Sequence, residues 1–157
     1  VTVTQLEQLV QVERIKKLKH DYWRACDAKD PKGFRSCFTR TGSSIDYGTL
    51  GATDADGMAA VFERIALAQD GGGHRVLDMH HGFHPDVTIV GPAEATGRWT
   101  LQFRQVDLHA RTETVLSGEY DDHYVIEDGD WKMDRCHFTR GWSITRPLTD
   151  DTVVEQP

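Results

Sequence analysis

Cysteine is scarce and badly placed for cross-linking. Cys26, Cys37 and Cys136 are odd in number, far apart and without a CxxC pair, so neither a disulfide framework nor a thiolate metal site is expected. They read as reduced thiols buried like small hydrophobes, and with no secretory signal pattern in the sequence the expectation is a cytoplasmic protein. No apolar run approaches the ~18 residues that a membrane-spanning helix needs. Positive charge is also short: Lys+Arg 18 against Asp+Glu 25 gives a formal charge of -7. A chain-wide attraction to phosphate backbones or anionic lipid is therefore absent, and neither nucleic acid nor a membrane is an expected partner. No linker, low-complexity stretch or internal repeat divides the chain. What is present is 157 residues, near the size of one domain, with 38% hydrophobic and 27% charged residues and eight histidines. A chain of this length buries roughly two-thirds of its unfolded surface, and imidazole is the side chain that most readily exchanges protons near neutral pH.

The first half of the chain carries helical periods. Thr4 and Glu7 have the capping-box spacing, and Ile15, Leu18, Tyr22 and Cys26 recur at three- and four-residue steps, which predicts a helix from about Thr4 to Cys26. His20 and Asp21 fall on its solvated side. Asp30-Pro31 starts a second helix with Phe34, Cys37 and Phe38 inward, and 43–47 reads as a short strand. Asp54 or Asp56 opens a third helix with Met58, Val61, Phe62 and Ile65 inward, closed by Gly71-Gly72-Gly73. After the glycines the period falls to two. Val87 to Val90, the turn at Gly91-Pro92-Ala93, the alternation of Trp99, Leu101 and Phe103, and a run from about Thr112 to Ile126 are strands, and Asp128-Gly129 is a hairpin signal before Trp131 to Thr139. Helices first and antiparallel strands after predict an α+β domain over 1–142, with helices on one face of a curved sheet, and an extended, partly mobile tail over 143–157.

Several segments carry a family resemblance. The run from Tyr22 through Asp27 to Asp30 resembles the end of the first helix in the SnoaL-like branch of the nuclear transport factor two-like superfamily, whose members include scytalone dehydratase, bile-acid 7α-dehydratase and hexachlorocyclohexane dehydrochlorinase. Ile45-Asp46-Tyr47 resembles the strand that carries a dehydratase tyrosine, His80-His81-Gly82 with the following Val87 to Val90 the strand that supplies the family's histidine, and Asp128-Gly129-Asp130-Trp131-Lys132 its recurrent hairpin. The resemblance implies a cone-shaped, mixed but mostly antiparallel sheet wrapped around the long first helix, with two shorter helices and an internal pocket. It also implies a homo-oligomer, a trimer or dimer, joined through the open face of the sheet. Two positions depart from the pattern. Gln105 stands where scytalone dehydratase has a second functional histidine, and the stretch around Ile126-Glu127 lacks the dehydrochlorinase's functional arginine.

On this pattern Asp27 and His80 are the expected catalytic pair. A carboxylate sets the imidazole tautomer, aims its free nitrogen and stabilises the imidazolium formed when a proton is taken. Tyr47 and Tyr22 would donate hydrogen bonds to developing negative charge, the alternative being core aromatics with a polar tip. Trp99, Phe103, His123 and Trp142 lie on segments that could reach the cavity wall and bind substrate, although a sheet facing a helix buries such residues anyway. A metal at His80, His81 and His84 is disfavoured, because Gly82 and Pro85 oppose a helix there and adjacent strand residues point to opposite faces. His74, His109 and His137 have no identified role. The reading is a cofactor-free lyase, a dehydratase or an isomerase, acting on an apolar cyclic small molecule. A non-catalytic ligand-binding or assembly domain and a polyketide-cyclase-type enzyme remain the alternatives.

Overall fold

The computed structural model describes residues 4–157. Helix α1 (Gln5–Asp27) starts where the capping box places it: Thr4 Oγ1 accepts from the Glu7 N–H at 3.2 Å, and the Glu7 carboxylate accepts from the Thr4 N–H at 2.7 Å. Its inward face holds Ile15, Tyr22, Trp23 and Cys26, and each large apolar side chain removed from water contributes roughly 1.5–3 kcal/mol. Asp30 caps α2 (Pro31–Ser36) and Asp54 caps α3 (Ala55–Ala66), each through a side-chain oxygen that accepts from the N–H three residues on.

The sheet is five-stranded, in the order β1 (Ser44–Asp46), β7 (Asp130–Pro147), β6 (Thr112–Glu127), β5 (Glu94–Asp107) and β4 (Val76–Gly91). Only β1 pairs in parallel; the long strands are antiparallel, and Asp128 and Gly129 both take positive φ in the β6–β7 turn, as a type I′ hairpin demands. The sheet curves over α1 and leaves an open half-barrel. Gly82 allows the close approach of α1 to β4: a Cβ there would fall 1.9 Å from the Trp23 ring. Among the described residues no helix is long and apolar enough to cross a membrane. The three cysteines are free and buried.

Three local expectations change. α3 ends at Ala66, and the glycines after it instead shape a small hairpin of β2 (Gln69–Asp70) and β3 (Gly73–His74), with Gly71 and Gly72 at positive φ. Turn geometry rather than helix termination is their task. β4 is one strand of 16 residues, not a short strand at Val87, with an irregularity between Phe83 and Asp86 where His84 has φ 52°. β7 continues to Pro147, five residues past the expected domain end, because β6 offers it partners as far as Thr112. The remaining residues are tied back, with the Gln156 side chain exchanging two hydrogen bonds with the His74 backbone, at 2.9 and 3.0 Å.

Candidate active site

A cavity of about 440 Å³ lies between the concave face of the sheet and the three helices, within the size range of small-molecule sites. Its wall is mostly apolar, with Met58, Phe62, Leu101, Phe103 and Phe138 among the lining side chains. His80 enters from β4 and is held by Asp27 at the C-terminal end of α1. The imidazole Nδ1 is 2.6 Å from Asp27 Oδ1, and the two carboxylate oxygens also accept from the His80 backbone N–H at 3.1 Å each. β4 is an edge strand, so alternate N–H groups have no strand partner, and Asp27 satisfies this one while orienting the ring. Phe103 packs against the imidazole with ring centroids 4.7 Å apart. Nε2 has no hydrogen-bond partner among the described residues. With Nδ1–H donated to the carboxylate, the neutral ring carries its free lone pair on Nε2.

Tyr22 and Tyr47 meet at the cavity wall with their hydroxyls 2.6 Å apart, and Tyr47 donates to Cys136 Sγ at 3.3 Å. Burial pushes both phenols well above their ordinary pKa, so both are neutral donors at physiological pH. Behind them stands an ion pair with no exposed surface, Lys19 Nζ to Asp122 Oδ2 at 2.7 Å. The ammonium lies 3.7 Å from the centroid of the Tyr120 ring and donates to Cys136 Sγ at 3.5 Å. Tyr124 donates to Asp122 at 2.7 Å and receives the Trp99 indole N–H at 3.0 Å. Burial, reinforced by the Asp122 carboxylate, pushes the Cys136 thiol up to about 12. At the β4 end of the cavity Asp78 is paired with Lys29 and accepts from Gln105 at 2.9 Å.

The sequence profile of the SnoaL-like domain matches residues 7–137. The chain belongs to this family. Solved structures with the same fold include a candidate scytalone dehydratase from Novosphingobium aromaticivorans, at 23% identity and TM-score 0.75 over 94% of this chain and 97% of that one. The hexachlorocyclohexane dehydrochlorinase LinA, type 2, superposes at TM-score 0.79 with 14% identity over 97% and 98%. ActVI-ORFA from Streptomyces coelicolor does so at TM-score 0.63 with 17% identity over 82% and 92%.

In this SnoaL-like domain Tyr22, Tyr47 and His80 line one cavity, with Asp27 behind the imidazole and Phe103 in the wall. Three residues expected to bind substrate lie elsewhere. Trp99 shares the concave face with Phe103, but α1 covers it, and its ring meets Trp23 edge-on at 5.4 Å. His123 alternates onto the convex face, where its ring nitrogens meet Asp134 at 2.6 Å and Glu94 at 2.8 Å. Trp142 is 55% exposed on the convex face. Straight alternation would put it beside Phe138 and Arg140, but the register breaks between Ser117 and Gly118, where Gly141 is the extra residue, and the bulge turns Trp142 over. His81 also points outward, while His84 bonds Thr100 at 3.2 Å, so the three histidines do not converge.

Two features had a sequence signal that went unread. Lys19 sits within the apolar stripe of α1, between Ile15 and Tyr22, and Arg140 follows Phe138 at the two-residue step of an inward-facing strand position.

Proposed function

We propose that this SnoaL-like protein is a cofactor-free lyase that removes a carbon-bound proton from a ring-bearing small molecule. The observation that carries the reading is the Asp27–His80 contact, with the second imidazole nitrogen unpartnered in an apolar cavity. His80 Nε2 takes the proton, Asp27 stabilises the imidazolium, and the C–H electron pair becomes the new double bond as the leaving group departs with its own bonding pair. For a hydroxyl leaving group the proton taken by His80 passes to the departing oxygen, which completes a water molecule and restores the neutral imidazole. An isomerase would use the same first step and return the proton to another carbon.

The tyrosine pair supplies one mobile donor. Because Tyr47 gives its proton to Cys136, Tyr22 is the donor within the 2.6 Å contact, and its O–H is the one that swings to a substrate oxygen. Tyr47 holds Tyr22 in place. Tyr22→Phe should therefore lower kcat more than Tyr47→Phe, by about tenfold or more for loss of a donor to developing charge. The function is tested by screening hydroxylated steroid and aromatic-ring compounds for loss of water by mass spectrometry, then measuring Asp27→Asn and His80→Ala on any compound turned over. Near wild-type turnover in either variant overturns the mechanism.

The convex face supports self-association. It exposes Met79 and Ile144 in one cross-strand row and Trp142 in the next, among paired charges, and exposed apolar side chains rimmed by polar ones suit a second copy of the chain. Sedimentation equilibrium checks it; a monomer at micromolar concentration would be the contrary result.

A further inference from the structure

Of the α1 lysines Lys16, Lys17 and Lys19, only the last has no exposed surface. Its counter-charge is Asp122, equally buried, at 2.7 Å. The other neighbours of the ammonium are soft: Cys136 Sγ at 3.5 Å, Met133 Sδ at 4.0 Å, and the rings of Tyr120, Tyr22 and Trp23, with centroids at 3.7, 4.6 and 5.4 Å. Sulfur and aromatic faces are weak acceptors, so the positive field toward Tyr22 is poorly screened. The carboxylate is not saturated either. Asp122 takes Lys19 and Tyr124 on the same oxygen, Oδ2, and its Oδ1 has no hydrogen-bond partner among the described residues.

A buried ion pair with an unused oxygen is a poor device for stability, since apolar residues of similar volume do as well or better. Its placement is what distinguishes it. The positive end lies against both cavity donors: it touches the Tyr22 ring directly, and it reaches Tyr47 through Cys136, whose sulfur accepts from Lys19 and from the Tyr47 hydroxyl at 3.3 Å. The two phenol hydroxyls, 2.6 Å apart, belong to side chains that line the cavity. A fixed cation behind a phenol draws electron density from its oxygen and makes the O–H a stronger donor. Because the cation is already in place, it needs no reorganisation when negative charge appears in the cavity.

We propose that Lys19 is a positioning residue for the donor pair: its buried ammonium, held by Asp122, strengthens Tyr22 as a donor, so that the cavity favours a ligand oxygen bearing negative charge over the same oxygen uncharged. This deepens the lyase reading and rests on it for the step at which that charge develops, but it is tested by binding alone. The probe is 4-nitrophenol, a ring-bearing compound whose anion alone is yellow. Bound at a single pH near its own pKa, its absorbance gives the ratio of bound anion to bound phenol. The wild-type protein should favour the anion about tenfold or more relative to water, the range of a hydrogen bond to a charged group. Lys19→Met with Asp122→Leu should lower that preference by about threefold or more, and so should Lys19→Gln with Asp122→Asn, which puts amides in place of the charges. Tyr22→Phe should lower it as well, and adding either neutral pair to Tyr22→Phe should cost nothing further, because Lys19 acts through Tyr22. A loosened fold would weaken both forms of the probe and leave their ratio alone. His80, Asp78 and Arg140 also line the cavity, but they are the same in every variant compared, so their part cancels. No anion preference in the wild type, no binding of the probe, an unchanged ratio in Tyr22→Phe or in either neutral pair that folds, a loss that adds in full to that of Tyr22→Phe, or failure of both neutral pairs to fold would overturn the assignment. An active Asp27→Asn enzyme would defeat the lyase reading and leave these ratios as they are, so the two failures are distinct.

Discussion

The two faces of one sheet hold a histidine against an aspartate at the same distance, to opposite effect. On the concave face His80 Nδ1 is 2.6 Å from Asp27, and its second nitrogen is unpartnered in the cavity. On the convex face His123 Nδ1 is 2.6 Å from Asp134, and its second nitrogen is taken by Glu94 at 2.8 Å. Partial burial works against a charged ring at His123, but Asp134 and Glu94 together overcome it and raise its pKa. His123 is thus a clasp joining β5, β6 and β7, with its charged form favoured by both carboxylates. A His–Asp contact by itself does not make a base; a lone pair left available to a bound substrate does.

Parallel substitutions break this comparison most sharply. His80→Ala and Asp27→Asn should each lower kcat by about 10²–10⁴-fold, while His123→Gln leaves it unchanged; an equal loss in all three would mean that the faces do not differ. The next effect is on stability. Lys19→Met strands Asp122 without surface exposure and should cost about 3–5 kcal/mol in urea denaturation, whereas Lys19→Met with Asp122→Leu should recover most of that. If the double variant is as unstable as the single, the pair does more than neutralise itself. The smallest effect belongs to the convex clasp. Because the folded pKa of His123 is raised, its stabilisation is fully present below the unfolded value of about 6.5 while the carboxylates remain ionised, and is lost as pH rises through the folded pKa. The stability gap between wild type and His123→Gln should therefore be larger at about pH 5.5 than at about pH 9, and stay under about 1 kcal/mol at this partly exposed site. A gap that grows with pH would contradict the clasp.

Much of the frame was readable because it is local. Thr4 with Glu7, Asp30 with Pro31, and Asp128-Gly129 act within a few residues of themselves, and the structure holds each in the geometry its chemistry requires. Phe103 was found on the cavity wall by simple alternation. The same alternation failed at Trp142, where one extra residue resets the parity of β7, and at Trp99, where the face was right but α1 lies over it. Gly71 and Gly72 looked like a helix stop, since positive φ serves a helix end and a hairpin equally well. Lys19 was hidden because a lysine in an apolar stripe is buried only if a partner arrives from elsewhere, and Asp122 is 103 positions away.

The sequence by itself determined where helices begin, where the main hairpin turns, and that the fold is α+β of the SnoaL-like kind. Those features depend on neighbouring residues and on the spacing of apolar side chains. Only the tertiary structure decided that His80 keeps a nitrogen free in the cavity, that Lys19 is buried and that His123 has both nitrogens engaged. Each of those is set by a partner on another strand or helix, and a single bulge is enough to exchange the face to which a side chain belongs.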